Sequence, residues 1–100
     1  MRVISRKKLR EFWEKHPASE AALSHWYKVV EKSDWTKFAD VRSTFNSADQ
    51  VGKFVVFNVG GNNYRVRAEV FYDEPIVLIR EVLTHAEYTA ANKAGKRKSR

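Results

Sequence analysis

A chain of 100 residues can bury one hydrophobic core and little more, so a single domain is expected, set at residues 1–92 and followed by a basic, disordered tail over 93–100. Hydrophobic residues at 43%, with 13% aromatic, exclude a wholly disordered chain, and the absence of cysteine excludes disulfide staples and thiolate metal sites. A net charge of +7 leaves two readings open, a phosphate-bearing partner and a solubilising surface.

Arg2-Val3-Ile4 reads as a short first strand, and Ser5 stands where a side-chain oxygen can cap a helix. Leu9, Phe12, Trp13 and His16 recur at i, i+3, i+4 and i+7, which predicts a helix over 6–16 that Pro17 ends. Ser19 is placed to cap a second helix, in which Leu23, Trp26, Tyr27 and Val30 repeat the spacing. Two such helices joined by a tight turn form an antiparallel hairpin, and aromatics at helical period are core groups rather than a base-stacking platform. Asp34 is placed to cap one further turn through Trp35 and Phe38, with Val41 and Phe45 anchoring an irregular stretch and Ser47-Ala48-Asp49-Gln50 as loop.

From Lys53 the period changes to that of a strand. Phe54 to Val59 is rich in β-formers and ends in Gly60-Gly61-Asn62-Asn63, whose glycines supply the positive φ of a hairpin turn. Tyr64 to Tyr72 alternates apolar residues with Arg65, Arg67 and Glu69, giving one apolar and one charged face. Asp73-Glu74-Pro75 turns the chain into a strand from Ile76 to Leu83 that is apolar on both faces at its start, as a central strand should be. Thr84-His85-Ala86-Glu87 fits the capping box and predicts a short terminal helix from His85 to about Asn92. The expected class is α+β: an antiparallel twisted sheet of about four strands, the helical hairpin on one face and a short C-terminal helix.

No apolar run exceeds four residues and the first residues are charged at once, so a cytoplasmic protein is expected, with no membrane partner. Residues 1–16 carry six Lys/Arg against two Glu, and residues 93–100 carry five Lys/Arg and no acid. Basicity is thus concentrated at the ends, and Lys53, Arg65, Arg67 and Arg80 stand nearly alone in the second half of the core. Arg65 and Arg67 share a strand face and Arg80 comes from the neighbouring strand; guanidinium forks match phosphate oxygens. Ion pairing with Glu69 and Glu81 is the competing use, and the alternation leaves open whether Arg80 or Glu81 points to the charged face. His85 and Tyr88 lie three apart on the first turn of the last helix, where free N–H groups favour an anion and a histidine can exchange protons near neutrality. A surface histidine beside a packed tyrosine accounts for the same pattern. No metal-ligand spacing is present among His16, His25 and His85, and Gly60-Gly61 lacks the Lys-Ser/Thr of a phosphate loop.

Three segments in order, Phe57-Asn58-Val59-Gly60-Gly61-Asn62, then Tyr64-Arg65, then Thr84-His85-Ala86-Glu87-Tyr88, resemble the signature of HigB-type toxins, a branch of the RelE-like superfamily. The resemblance implies a RelE-like fold with an RNA cleft on the sheet face away from the helical hairpin. It implies metal-independent, cofactor-free endonucleolytic cleavage of mRNA, often on the ribosome, in a bacterial cytoplasm. It also implies neutralisation by a HigA-like helix-turn-helix antitoxin that binds operator DNA. Carried to these residues, it makes Arg65 the holder of the scissile phosphate, His85 the proton-transferring group and Tyr88 a stacking or acid–base group. Arg67, Arg80, Lys53 and Asn62 are the supporting phosphate contacts. A non-catalytic RNA- or ribosome-binding module that uses the basic ends, and a protein-interaction domain with ion-paired arginines, are the alternative classes.

Overall fold

The computed structural model describes residues 1–98. The elements run β1 (Arg2–Ile4), α1 (Arg6–Lys15), a 3₁₀ turn (Pro17–Ser19), α2 (Glu20–Glu31), α3 (Phe38–Thr44), β2 (Asp49–Val51), β3 (Phe54–Val59), β4 (Tyr64–Phe71), β5 (Ile76–Thr84) and α4 (His85–Lys98). The five strands form one sheet in the order β1-β5-β4-β3-β2. The three long strands are the expected antiparallel meander, while β1 joins the outer edge of β5 in parallel, with Arg2 beside Ile76 and Ile4 beside Leu78.

Alternation along the strands sorts the two faces. Val55, Phe57 and Val59 of β3, Val66 and Ala68 of β4, and Val77 and Ile79 of β5 are all buried, and they pack with Leu9, Phe12, Leu23, Trp26 and Val30 of the helical hairpin. Trp26 sets its ring edge to Phe57, with centroids 5.2 Å apart, and Phe12 does the same with Tyr64 at 5.7 Å. The helix aromatics are therefore core, as their period predicts. Burial of this size drives folding, and truncating one such residue to Ala costs about 2–5 kcal/mol.

Several local expectations give way to other solutions. Ser5 occupies the position before α1, but its backbone is left-handed (φ 72°) and its side chain makes no capping bond. Ser19 also leaves its helix uncapped, because its hydroxyl donates backwards to the His16 carbonyl at 2.7 Å. Asp34 caps nothing, since the third helix begins at Phe38; Asp40, inside that helix, accepts the backbone N–H and hydroxyl of Thr36 at 2.8 and 2.9 Å. Those bonds favour the ionised form and hold the Asp40 carboxyl below its ordinary 3.8. Asp49 and Gln50, read as loop, begin β2 and pair with Val56 and Val55. The last helix continues past Asn92 to Lys98, so most of the stretch expected as a disordered tail is helical; Ser99 and Arg100 lie outside the described residues.

Candidate active site

The capping box forms in full. The Thr84 N–H donates to Glu87 Oε1 at 2.9 Å, and the Glu87 N–H donates to Thr84 Oγ1 at 3.1 Å. The His85 N–H is taken by the Asn63 carbonyl at 2.8 Å, which ties the start of α4 to the β3–β4 turn. That turn needs its glycines, with φ 65° at Gly60 and 69° at Gly61. Tyr88 and Ala91 share a groove with Val51, Phe54, Val56, Arg67 and Leu83, so α4 returns over the sheet face opposite the helical hairpin.

Arg65 points to that same face and is 7% exposed. Its Nη1 donates to the carbonyls of Asn62 and Tyr64, each at 3.1 Å, and its Nη2 donates to Asn62 Oδ1 and to His85 Nδ1, each at 2.8 Å. The guanidinium also sits 5.6 Å from the centre of the Tyr88 ring, within cation–π range. Arg65, Asn62, His85 and Tyr88 are thus brought together from the turn, β4 and α4. The fork expected to be free for phosphate has four of its five N–H groups committed to the protein. A guanidinium has no acceptor, so Nδ1 of His85 accepts, and the ring hydrogen is on Nε2.

Three other predicted phosphate contacts make no bond to this cluster, although Arg67 lines the neighbouring groove with Tyr88. Arg67 pairs with Glu81 at 2.9 Å, covers the Phe54 ring at 4.5 Å, and has its Nε buried without a partner among the described residues. Arg80 pairs with Glu69 at 3.6 Å. A β-bulge explains how both pairs form: the register shifts so that Arg67 faces Glu81 and Ala68 faces Ile79, leaving Arg80 as the extra residue. Arg80 and Glu81 therefore both reach the charged face, each to its own partner on β4. Lys53 lies in the β2–β3 turn with its ammonium 5.4 Å from the Phe54 ring.

The cavity next to Arg65 and Tyr88 encloses about 370 Å³ and is lined further by Arg42, Asn46, Ser47, Ala48, Asp49, Val56 and Asn58. None of Arg42, Asn46 and Asn58 was predicted as a polar contact of the site. Asn58 had a readable signal: it is the polar member of the β3 alternation and lies directly across from Arg65. Arg42 and Asn46 come from the end of α3 and its loop, and nothing local marks them. A second, apolar groove of about 400 Å³ lies between α2 and the end of β3, on the other side of the sheet. Among the described residues no three His, Asp or Glu side chains cluster as metal ligands, and no helix is long and apolar enough to cross a membrane.

The HigB_toxin family, described as the RelE-like toxic component of a toxin–antitoxin system, matches residues 19–91. The chain is 37% identical over 91 residues, 88% of either chain, to the mRNA interferase toxin HigB of Escherichia coli strain K12, and equally similar to the mRNA interferase HigB of Shigella flexneri. Its identity to the mRNA interferase HigB of Escherichia coli O6:H1 is 31% over the same share.

Proposed function

The chain belongs to the HigB family of RelE-like toxins, and we propose that it is an mRNA interferase whose reacting phosphodiester lies against Arg65, His85 and Tyr88. The observation that carries this reading is the 2.8 Å contact between Arg65 and His85, residues twenty apart in the chain, beside a polar cavity. A ribonuclease of this kind needs positive charge under the phosphate, a proton-carrying group at the leaving oxygen, and a surface for a base.

In the proposed reaction the RNA 2′-hydroxyl loses its proton to water and its oxygen bonds to phosphorus. The bond from phosphorus to the 5′-oxygen breaks, that oxygen gains a proton, and a 2′,3′-cyclic phosphate remains. Arg65 supplies fixed charge that offsets the charge growing on the phosphoryl oxygens, although its own donors face the protein. His85 reaches substrate through Nε2, the nitrogen Arg65 leaves open; with Nδ1 accepting from Arg65 the ring holds a single hydrogen, so its Nε2–H donates a hydrogen bond to the departing 5′-oxygen, and the proton that oxygen gains comes from water. Tyr88, half-buried and lining the cavity, offers a ring face to a base. No metal or cofactor enters this scheme. The finer partners belong to the proposal as well: ribosome-engaged mRNA as substrate, a HigA-like helix-turn-helix antitoxin that holds operator DNA, and a bacterial cytoplasm as the setting.

Incubating purified protein with cellular mRNA in the presence of a chelator, then mapping the new ends, tests the reading. The expected products carry cyclic phosphate termini, and His85→Ala lowers their rate about 10²–10³-fold, the usual worth of one hydrogen-bond donor at a developing oxyanion. Parent-like cleavage by both His85→Ala and Arg65→Ala would remove the basis of the assignment.

A further inference from the structure

Resting on the ribonuclease reading, we infer that the direct hydrogen bonds to the RNA phosphate come from Arg42, which lines the same cavity as Arg65. The argument begins with a shortage of donors. Phosphate recognition by arginine uses two parallel N–H groups of the fork, and Arg65 has both terminal nitrogens engaged by Asn62, Tyr64 and His85. Arg67 and Arg80 are held by Glu81 and Glu69. Lys53 does not line the cavity.

Arg42 does line it. It is exposed on the last turn of α3, and its Nε donates to the Asn46 carbonyl at 3.1 Å. That bond fixes the plane of the guanidinium while leaving both terminal nitrogens unspent. Among the described residues it has no acidic partner within ion-pair distance, although Asp49 lines the same cavity. Asp49 repels a phosphate, so an anion bound there is held by the arginines that line the cavity, exposed Arg42 and buried Arg65. Asn58 and Tyr88 then border the space left for the attached nucleoside. The two arginines divide the work: Arg65 holds His85 and supplies charge, and Arg42 grips.

The probe is a short single-stranded RNA with fluorine in place of each 2′-hydroxyl, which cannot undergo the cyclising attack. Binding is measured by fluorescence anisotropy over a series of salt concentrations for the parent, Arg42→Gln, Arg42→Lys and Arg10→Gln. Loss of one phosphate contact to a single strand lowers the salt slope by about 0.7. Arg42→Gln should therefore bind at least about tenfold more weakly at low salt, with that decrease in slope. Arg42→Lys should recover the slope but only part of the affinity, because a point charge replaces a fork. Arg10→Gln, at an exposed position of α1, should change neither. With natural RNA, Arg42→Gln should raise KM and leave kcat close to the parent value. Unchanged affinity and slope in Arg42→Gln, with the parent binding normally, overturns the Arg42 inference and leaves the ribonuclease reading intact. Failure of the parent to bind the probe overturns both.

Discussion

Thr84→Ala tests whether the site is held in place by the start of α4. The substitution removes the oxygen that accepts the Glu87 N–H at 3.1 Å and leaves the return bond from the Thr84 N–H to Glu87 intact. Losing such a cap typically costs about 1 kcal/mol, which multiplies a local opening equilibrium by about five. Among the described residues none of the core comes from α4, whose main contacts are with β4 and β5, so its opening need not involve the rest of the fold. Amide hydrogen exchange should therefore quicken about fivefold at residues 87–90 and stay unchanged at Val66, which is fully buried in β4. RNA cleavage should fall no further than the loss of folded helix allows, because His85 and Tyr88 are themselves intact. The reasoning is refuted if residues 87–90 exchange as in the parent, or if Val66 loses protection to the same degree.

Three further outcomes follow from particular contacts. A Cβ on Gly60 would lie 3.0 Å from Tyr64 Cδ2 at a positive φ, whereas one on Gly61 meets open space; thermal melts should show Gly60→Ala as the more damaging, with Gly61→Ala costing about 1–2 kcal/mol for φ alone. Glu81→Gln breaks a pair whose side chains are 37% and 45% exposed, so stability should change by less than about 1 kcal/mol, while released Arg67 should tighten RNA binding at low salt; equal binding would show that Arg67 stays on Phe54. The Asp40 carboxyl is held below 3.8 by Thr36, so ionised Asp40 contributes stability that is fully present above that value and lost as pH falls through the lower folded one. The melting temperature of Asp40→Asn should accordingly lie below the parent's at pH 7 and converge with it toward pH 2; a constant gap would disprove the linkage.

What was readable in the sequence was whatever depends on near neighbours. The helical hairpin, the glycine turn, the three long strands and the Thr84–Glu87 box each follow from periods or spacings within a dozen residues. The edge strands were legible only in part: Arg2-Val3-Ile4 reads as a strand without revealing its partner, and β2 reads as loop. β2 has three exposed residues and no alternation, and only its pairing with β3 makes it a strand. The parallel seat of β1 depends on a partner at the far end of the chain. The arginines illustrate the same limit: strand period placed Arg65 and Arg67 on one face, but ion pairing of Arg67 required the register with β5, and that of Arg80 required the bulge. Asp34 and Asp40 differ in no local preference; the chain bends after Trp35, whose indole donates to Thr44 at 3.0 Å, and this delays the helix until Phe38. In α4, alanine and lysine favour continuation past Asn92 despite Gly95, whose cost is only about 1 kcal/mol.

The parallel seam between β1 and β5 also governs the order of assembly. Its partners stand at opposite ends of the chain, so a protein emerging from a ribosome holds an unfinished sheet edge until nearly all of it has been made. The turn of Asn62 and the strand of Arg65 precede β5, and the helix of His85 follows it directly. A product that ends before Ile76 therefore leaves β1 without its partner strand, and it lacks the proposed donor His85 as well.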